Sequence, residues 1–333
     1  MTLKSVQTPL LQVSKLCTTF TAGGASIPAV RDVDFTLNKG EVLGLVGESG
    51  SGKSVTLRSI LGLSRRYGTT TGDVLWRGDN LVSAPESRLR TIRGGEIAMI
   101  FQEPMTSLNP LLTVGLQIDE TLKAHTEMSA AERKKRAVEM LDLVGIPAAS
   151  SRLSEYPHQF SGGMRQRVMI AIALAARPKL LLADEPTTAL DVTIQAQILD
   201  LILSLARDFD MGVILVTHDL GVVAQTCDQV AVMYAGRIVE EGAVRDVLKT
   251  PQHPYTVGLM RSVPQNVPPR TPLYSIPGTP PSLLNLPKGC AFAPRCANKT
   301  SVCEDGRPEL QESGTGRALA CFNKVQARDG AAA

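Results

Sequence analysis

The segment Gly47-Glu-Ser-Gly-Ser-Gly-Lys-Ser54 sets three glycines ahead of a lysine and a hydroxyl, the pattern of a loop that wraps phosphate groups. Gly47, Gly50 and Gly52 remove side chains where backbone must approach an anion, so the N–H groups around Glu48, Ser49 and Ser51 can point at phosphate oxygens. Lys53 is the expected partner of the β- and γ-phosphates of ATP, Ser54 the expected Mg2+ ligand, and Val55 the first step into a helix. A glycine-rich turn without a ligand is the bland alternative. A second chemical pair, Asp184-Glu185, closes the apolar run Leu180-Leu-Leu-Ala, at the strand end where open parallel sheets bind ligands. Asp184 suits the Mg2+ shell, and Glu185 suits a base that orients and deprotonates water attacking the γ-phosphate. A helix-capping pair is the competing explanation. His218 follows the next apolar run, Gly212 to Thr217, where a plain hydrogen-bonding role competes with a catalytic one.

These residues need strands to end on and helices to begin from. Strand patterns fall at Leu11 to Leu16, Val33 to Leu37, Val42 to Val46 and Asp73 to Trp76, punctuated by Gly40, Gly44 and Gly47, so the first ninety residues are sheet-rich. Helical patterning takes over across 105–160, where Ser129-Ala-Ala-Glu132 is a capping-box sequence opening a helix over Ala130 to Val144. Beyond Ser161 come a helix to Ala176, a strand Lys179 to Ala183, a helix Thr193 to Asp208 and a strand Gly212 to Thr217. Apolar strands alternating with helices imply a covered, mostly parallel sheet, hence an α/β fold. Proline-rich, irregular texture begins near residue 250, which divides the chain into 1–250 and 251–333.

Composition narrows the classes. A chain of 333 residues, 43% hydrophobic and 20% charged, is long enough for a main domain with an appendage. Its net charge of +3 is no electrostatic footprint for nucleic acid. Val168 to Ala183 is the best apolar run, and Arg177, Pro178 and Lys179 break it, so no bilayer-spanning segment is expected. Lys4, Gln7, Pro9 and Gln12 interrupt what would be a signal peptide's apolar stretch, which points to the cytoplasm.

The elements resemble the ATPase domain of ABC transporters, because Phe160-Ser-Gly-Gly-Met-Arg-Gln-Arg167 looks like that family's signature segment. Ser161, Gly162 and Gly163 match its Leu-Ser-Gly-Gly-Gln core, while Phe160 and Met164 depart from it. The resemblance implies a RecA-like core with a β-rich N-terminal part and a helical subdomain inserted over about 105–160. It implies that Gln102 is the loop glutamine that meets Mg2+ and the reacting water, Ala189-Leu190-Asp191 the dimer-contact loop, His218 the switch histidine at the γ-phosphate, and Phe20 the ring on adenine. A core aromatic explains Phe20 equally well from its residue type. Phe101-Gln-Glu-Pro-Met-Thr-Ser-Leu-Asn-Pro110 and His253-Pro-Tyr-Thr-Val-Gly-Leu259 narrow the resemblance to the oligopeptide/dipeptide importer subunits.

That group implies a peripheral protein on the cytoplasmic face of the inner membrane. It would pair with a second ATPase subunit, identical or homologous, and with two membrane-spanning permease subunits, while an extracytoplasmic solute-binding protein captures the peptide. Mg2+, Lys53, His218 and the partner's Ser161-Gly162-Gly163 segment would share the transition-state charge. Nickel or glutathione importers use similar subunits, and a soluble relative acting on nucleic acid or ribosomes is a further alternative. The absence of sustained heptads between Lys53 and Asp184, and the single cassette, disfavour that last reading.

Cys290, Cys296, Cys303 and Cys321 crowd the tail and could complete a zinc site or an iron-sulfur cluster. Their spacing lacks the tight pairs of zinc ribbons, and similar tails in the peptide-importer group resemble iron-sulfur extensions. The expectation is therefore a 4Fe-4S cluster stapling an irregular extension, with zinc, or unmetallated or disulfide-linked thiols, as alternatives.

Overall fold

A computed structural model describes residues 8–102, 107–188, 191–263, 274–314 and 316–325. The described strands are β1 (Leu11–Ala22), β2 (Ala25–Leu37), β3 (Val42–Val46), β4 (Gly68–Trp76), β5 (Asp79–Asn80), β6 (Ile97–Ile100), β7 (Leu180–Asp184), β8 (Gly212–Thr217), β9 (Gln229–Tyr234), β10 (Arg237–Ala243), β11 (Gln311–Gly314) and β12 (Arg317–Leu319). The described helices of six or more residues are α1 (Lys53–Ile60), α2 (Glu86–Ile92), α3 (Val114–His125), α4 (Ala130–Leu143), α5 (Gly162–Leu174), α6 (Val192–Asp208), α7 (Leu220–Thr226), α8 (Val244–Lys249) and α9 (Pro254–Ser262). By its contacts the chain divides into two units, one holding the described residues of 8–10, 37–41 and 83–216, the other 11–36, 42–82 and the described residues from 217 onward.

In the first unit β6, β7 and β8 run parallel, Ile97 facing Leu180 and Leu180 facing Gly212. All of β7 and β8 are buried, which is why their sequences are continuous apolar runs rather than alternating ones. The inserted helices start where their caps dictate. Thr113 accepts from the Leu116 N–H to open α3, and Ser129 and Glu132 form a complete capping box on α4. Met140 and Leu141 are buried on one side of α4.

The second unit carries two sheets. In one, ordered β2-β1-β4-β5, the antiparallel pair β1 and β4 sets Leu11 opposite Trp76 and Phe20 opposite Gly68. β1, β2 and β4 all extend beyond the expected strands. The added residues include threonines such as Thr18, whose hydroxyl lies 2.7 Å from Ser59 Oγ, so a fully buried polar side chain is satisfied and the strand can continue. In the other, β3 pairs in parallel with β9, and β10, β12 and β11 follow antiparallel.

The tail belongs to the packing of this second unit. Tyr255 and Phe292 join Val46, Val223, Val232 and Tyr234 in one hydrophobic cluster, with Ile276, Leu283 and Leu286 packed against it. The expected 4Fe-4S cluster on Cys290, Cys296, Cys303 and Cys321 is corrected by this arrangement. Among the described residues no group of three or more His, Cys, Asp or Glu is placed to hold a metal ion, and all four cysteines are free. Cys290 and Cys296 pack against the hydrophobic cluster, and the buried Cys303 sulfur accepts from Asn323 Nδ2 at 3.3 Å. Without a metal, burial raises the pKa of Cys290 and Cys296 and lifts Cys321 to about 11. Among the described residues, shared packing ties the extension to this unit.

Candidate functional site

β3 delivers the chain into the loop with every residue buried, and α1 leaves it. Gly47 sits at φ +151, and a Cβ there would lie 2.2 Å from the Met233 carbonyl oxygen, so no side chain fits where the loop departs from the sheet. Gly52, the N-cap of α1 at φ +104, is closed in the same way by the Ala29 carbonyl at 2.6 Å. No acidic residue stands in the first turn of α1, which leaves its N–H groups and dipole to an anion. Lys53 is buried, and its Nζ donates to the carbonyls of Gly47 at 2.7 Å and Glu48 at 3.0 Å, which holds the ammonium over the loop. The Ser54 and Val55 side chains are half-buried on the same turn.

Glu48 has partners that no motif announced. Its N–H donates to Tyr255 Oη at 2.8 Å, and its carboxylate takes a two-pronged ion pair from Arg295 at 2.7 and 3.0 Å. Beside it a cavity of about 370 Å3 is lined by Gly47, Glu48, His218, Tyr274, Ile276 and Arg295, together with neighbouring residues. His218 is exposed at this cavity, and Asp219 after it caps α7 by accepting from the N–H groups of Gly221 and Val222.

In the other unit, Asp184 is fully buried at the end of β7. Glu185 turns out of the strand at φ +47, a left-handed conformation that costs a non-glycine residue about 1 kcal/mol. Its N–H is tied to the Val216 carbonyl at 3.0 Å, and its carboxylate accepts from Thr188 Oγ1 at 2.8 Å and from Gln102 Nε2 at 3.2 Å. Neither acid caps a helix: the next helix, α6, is capped by Asp191, which accepts from the Ile194 N–H at 2.9 Å. Asp191 thus has a local structural task in the contact loop assigned to it, while Ala189 and Leu190 lie outside the described residues.

Ser161 is the N-cap of α5 and accepts from the Met164 N–H at 3.4 Å, so Ser161 and Gly162 are exposed at the helix's positive end. Gly163 follows in the first turn. Phe160 is buried beneath the Arg152 guanidinium, 5.6 Å from the ring centroid, which explains how an aromatic replaces leucine: the position wants apolar bulk. Gln166 is buried and donates to the Pro186 carbonyl, linking the signature helix to the segment after Glu185. Phe20 is half-buried outside the core, its ring against Gly68.

The hydrogen bonds bring together Gln102 with Glu185 in one unit, and the cavity brings together the phosphate loop with His218 in the other. Thr188, Tyr255 and Arg295 escaped sequence reasoning. Thr188 was findable as a hydroxyl three residues beyond the presumed base; Tyr255 lies in the quoted stretch from His253 to Leu259, which says nothing of Glu48, and nothing local marks Arg295.

A model of the ABC transporter family matches residues 30–188, and a model described as the oligopeptide/dipeptide transporter C-terminal region matches 239–303. The chain is 51% identical to the oligopeptide transport ATP-binding protein OppD of Salmonella typhimurium, over 95% of this chain and 94% of that one. It is 53% identical to the dipeptide transport ATP-binding protein DppD of Bacillus subtilis, over 89% of each. Among solved structures, the dimeric post-hydrolysis state of the ATP-binding cassette MJ0796 bound to ADP and Pi matches with a TM-score of 0.64 at 32% identity, covering 71% of this chain and 99% of that one.

Proposed function

We infer the function from one premise: this chain belongs to the ABC transporter family, among its oligopeptide/dipeptide transport ATP-binding proteins. It hydrolyses ATP and couples that reaction to peptide import as a component of a membrane importer with permease subunits. Among the described residues no helix is long and apolar enough to cross a membrane, which suits a subunit that leaves the crossing to its partners. In our reading it works beside a second ATPase subunit, identical or homologous, under two permeases at the cytoplasmic face of the inner membrane, with an extracytoplasmic binding protein supplying peptide. Residues 1–250 serve as the ATPase domain, and 251–333 as the extension typical of this branch.

The observation that carries the chemistry is the fixed carboxylate of Glu185. The loop from Gly47 to Ser54 receives the phosphates through its N–H groups and Lys53, and His218 contacts the γ-phosphate. The oxygens of Ser54, Gln102 and Asp184 are hard donors of the kind Mg2+ prefers, and Gln102 keeps its amide oxygen for that role because it donates to Glu185 through Nε2. Bound there, Mg2+ would offset phosphate charge. Glu185 accepts a proton from the attacking water, while Thr188 and Gln102 keep its carboxylate aimed. That loop and carboxylates serve one nucleotide, completed by the partner's signature segment, is supported by family membership and by the dimeric relative.

Glu185→Gln should retain ATP binding in the assembled transporter and lower turnover at least about 100-fold, the usual worth of a positioned base. Hydrolysis at near the unmodified rate would reject Glu185 as the base. Uptake of labelled oligopeptides in a strain lacking the gene, set against nickel and glutathione, checks the cargo.

A further inference from the structure

The contacts of Glu48 do not follow from the loop's motif. A loop built to receive a polyanion carries, as its second residue, an acid of like charge. Left to itself this carboxylate would oppose the phosphates, the more so in a site that excludes water. The fold gives it a dedicated counter-charge from 247 positions along the chain. Arg295 meets it in the two-pronged geometry that makes guanidinium–carboxylate pairs both strong and directional.

The guanidinium is itself immobilised. Nε donates to the Pro277 carbonyl at 3.0 Å, Nη2 also to the Ile276 carbonyl at 3.2 Å, and Nη1 also to Tyr234 Oη at 3.3 Å. Its side chain is 3% exposed, and its charge stands 5.9 Å from the ring centroids of both Tyr234 and Phe292. The Glu48 hydrogen bond, foremost among several causes, raises its pKa, so the positive charge is secure. Tyr255, fully buried and packed at a tilt against the same rings, accepts from the Glu48 N–H, while Lys53 donates to the Glu48 carbonyl. Every polar group of Glu48 is therefore gripped, two of the three by residues of the tail.

We propose that Arg295 is a positioning residue of the nucleotide site, holding the Glu48 carboxylate neutralised and fixed so that the phosphate loop is ready for ATP. The extension is then part of the ATP site. This rests on the reading of residues 47–54 as the ATP loop, and the test separates the two.

The Kd for ATP is measured on the full-length chain without Mg2+, to prevent turnover, and kcat and KM in the assembled transporter. Arg295→Ala should raise Kd and KM about tenfold or more, with kcat at saturating ATP changed much less. Adding Glu48→Gln to that variant should recover most of the lost affinity, because the stranded charge is gone; a simple packing defect would not be cured so. Arg295→Lys, which keeps the charge and loses the fork, should fall between, and it substitutes for the alanine variant should that one not fold. Affinity like the unmodified protein's in Arg295→Ala, or in Arg295→Lys where it stands in, overturns the proposal; so does a double variant no better than Arg295→Ala. Lys53→Ala is the control for the underlying reading: undiminished ATP binding there rejects residues 47–54 as the ATP loop, whatever the Arg295 variants show.

Discussion

The proposed phosphate loop and the proposed catalytic corner at Glu185 are built in different ways. The loop is shut in by backbone: carbonyls of Met233 and Ala29 stand where side chains would be, Lys53 is buried over it, and Glu48 is gripped at its N–H, carbonyl and carboxylate. Glu185 is half-buried, its carboxylate accepts from Thr188 and from the exposed Gln102, and its backbone is in a left-handed conformation. A cradle for charge works best when its dipoles are fixed before the charge arrives. A base needs aim rather than enclosure, because it must meet water and release a proton. On the proposed roles, enclosure falls where phosphate would bind, and a half-open side where water would react.

The sharpest way to break this contrast is Gly47→Ala. The new methyl would collide with the Met233 carbonyl, so the loop must move, and ATP affinity should fall more than about 100-fold if the cradle tolerates no shift. A Kd changed only two- or threefold would show the loop to be as adjustable as the base. Thr188→Val probes the other side, removing one donor to Glu185 while keeping shape. There kcat should drop about ten- to a hundredfold with KM steady, in line with losing one hydrogen bond to a charged group, about 1.5–3 kcal/mol; a change in KM instead would place Thr188 in binding.

The smallest effect concerns acid and the loop's supports. His253 is fully buried, and burial lowers its pKa from 6.5 to about 3. Its Nδ1 accepts from the Tyr255 N–H at 3.0 Å, so the imidazole caps the helix that carries the Glu48 partner. The folded imidazole stays neutral while the unfolded chain takes up a proton below 6.5, so this stability is present above 6.5 and lost as pH falls toward 3. The slope is at most about 1.4 kcal/mol per pH unit. Thermal unfolding followed against pH should show a flatter acid limb in His253→Asn; an unchanged limb would assign acid sensitivity to other groups.

Much of this was legible because it is local. Glycine spacing marks the loop, continuous apolar runs mark β3, β7 and β8, and Ser129 with Glu132 writes the start of α4 into four consecutive residues. Legibility failed where meaning depends on burial or on distant partners. The four tail cysteines can be counted from sequence, but not that Cys290 and Cys296 pack against a hydrophobic cluster. β11 is polar and β12 only three residues long, and they exist because β10 offers an edge to pair with. Arg295 carries no motif, the stretch that holds Tyr255 marks the branch without announcing its contact, and both roles appear only when the chain folds back on Glu48.

That return has a consequence for how the protein is made. A ribosome adding roughly 5–20 residues per second needs about 12–50 s to travel from Glu48 to Arg295, 247 positions later. Throughout that interval the nascent chain carries a phosphate loop whose acidic residue lacks its guanidinium. A message truncated before codon 295 would yield a protein with the whole ATP motif and none of the Arg295 pairing at Glu48, so the last quarter of translation finishes what the first sixth began.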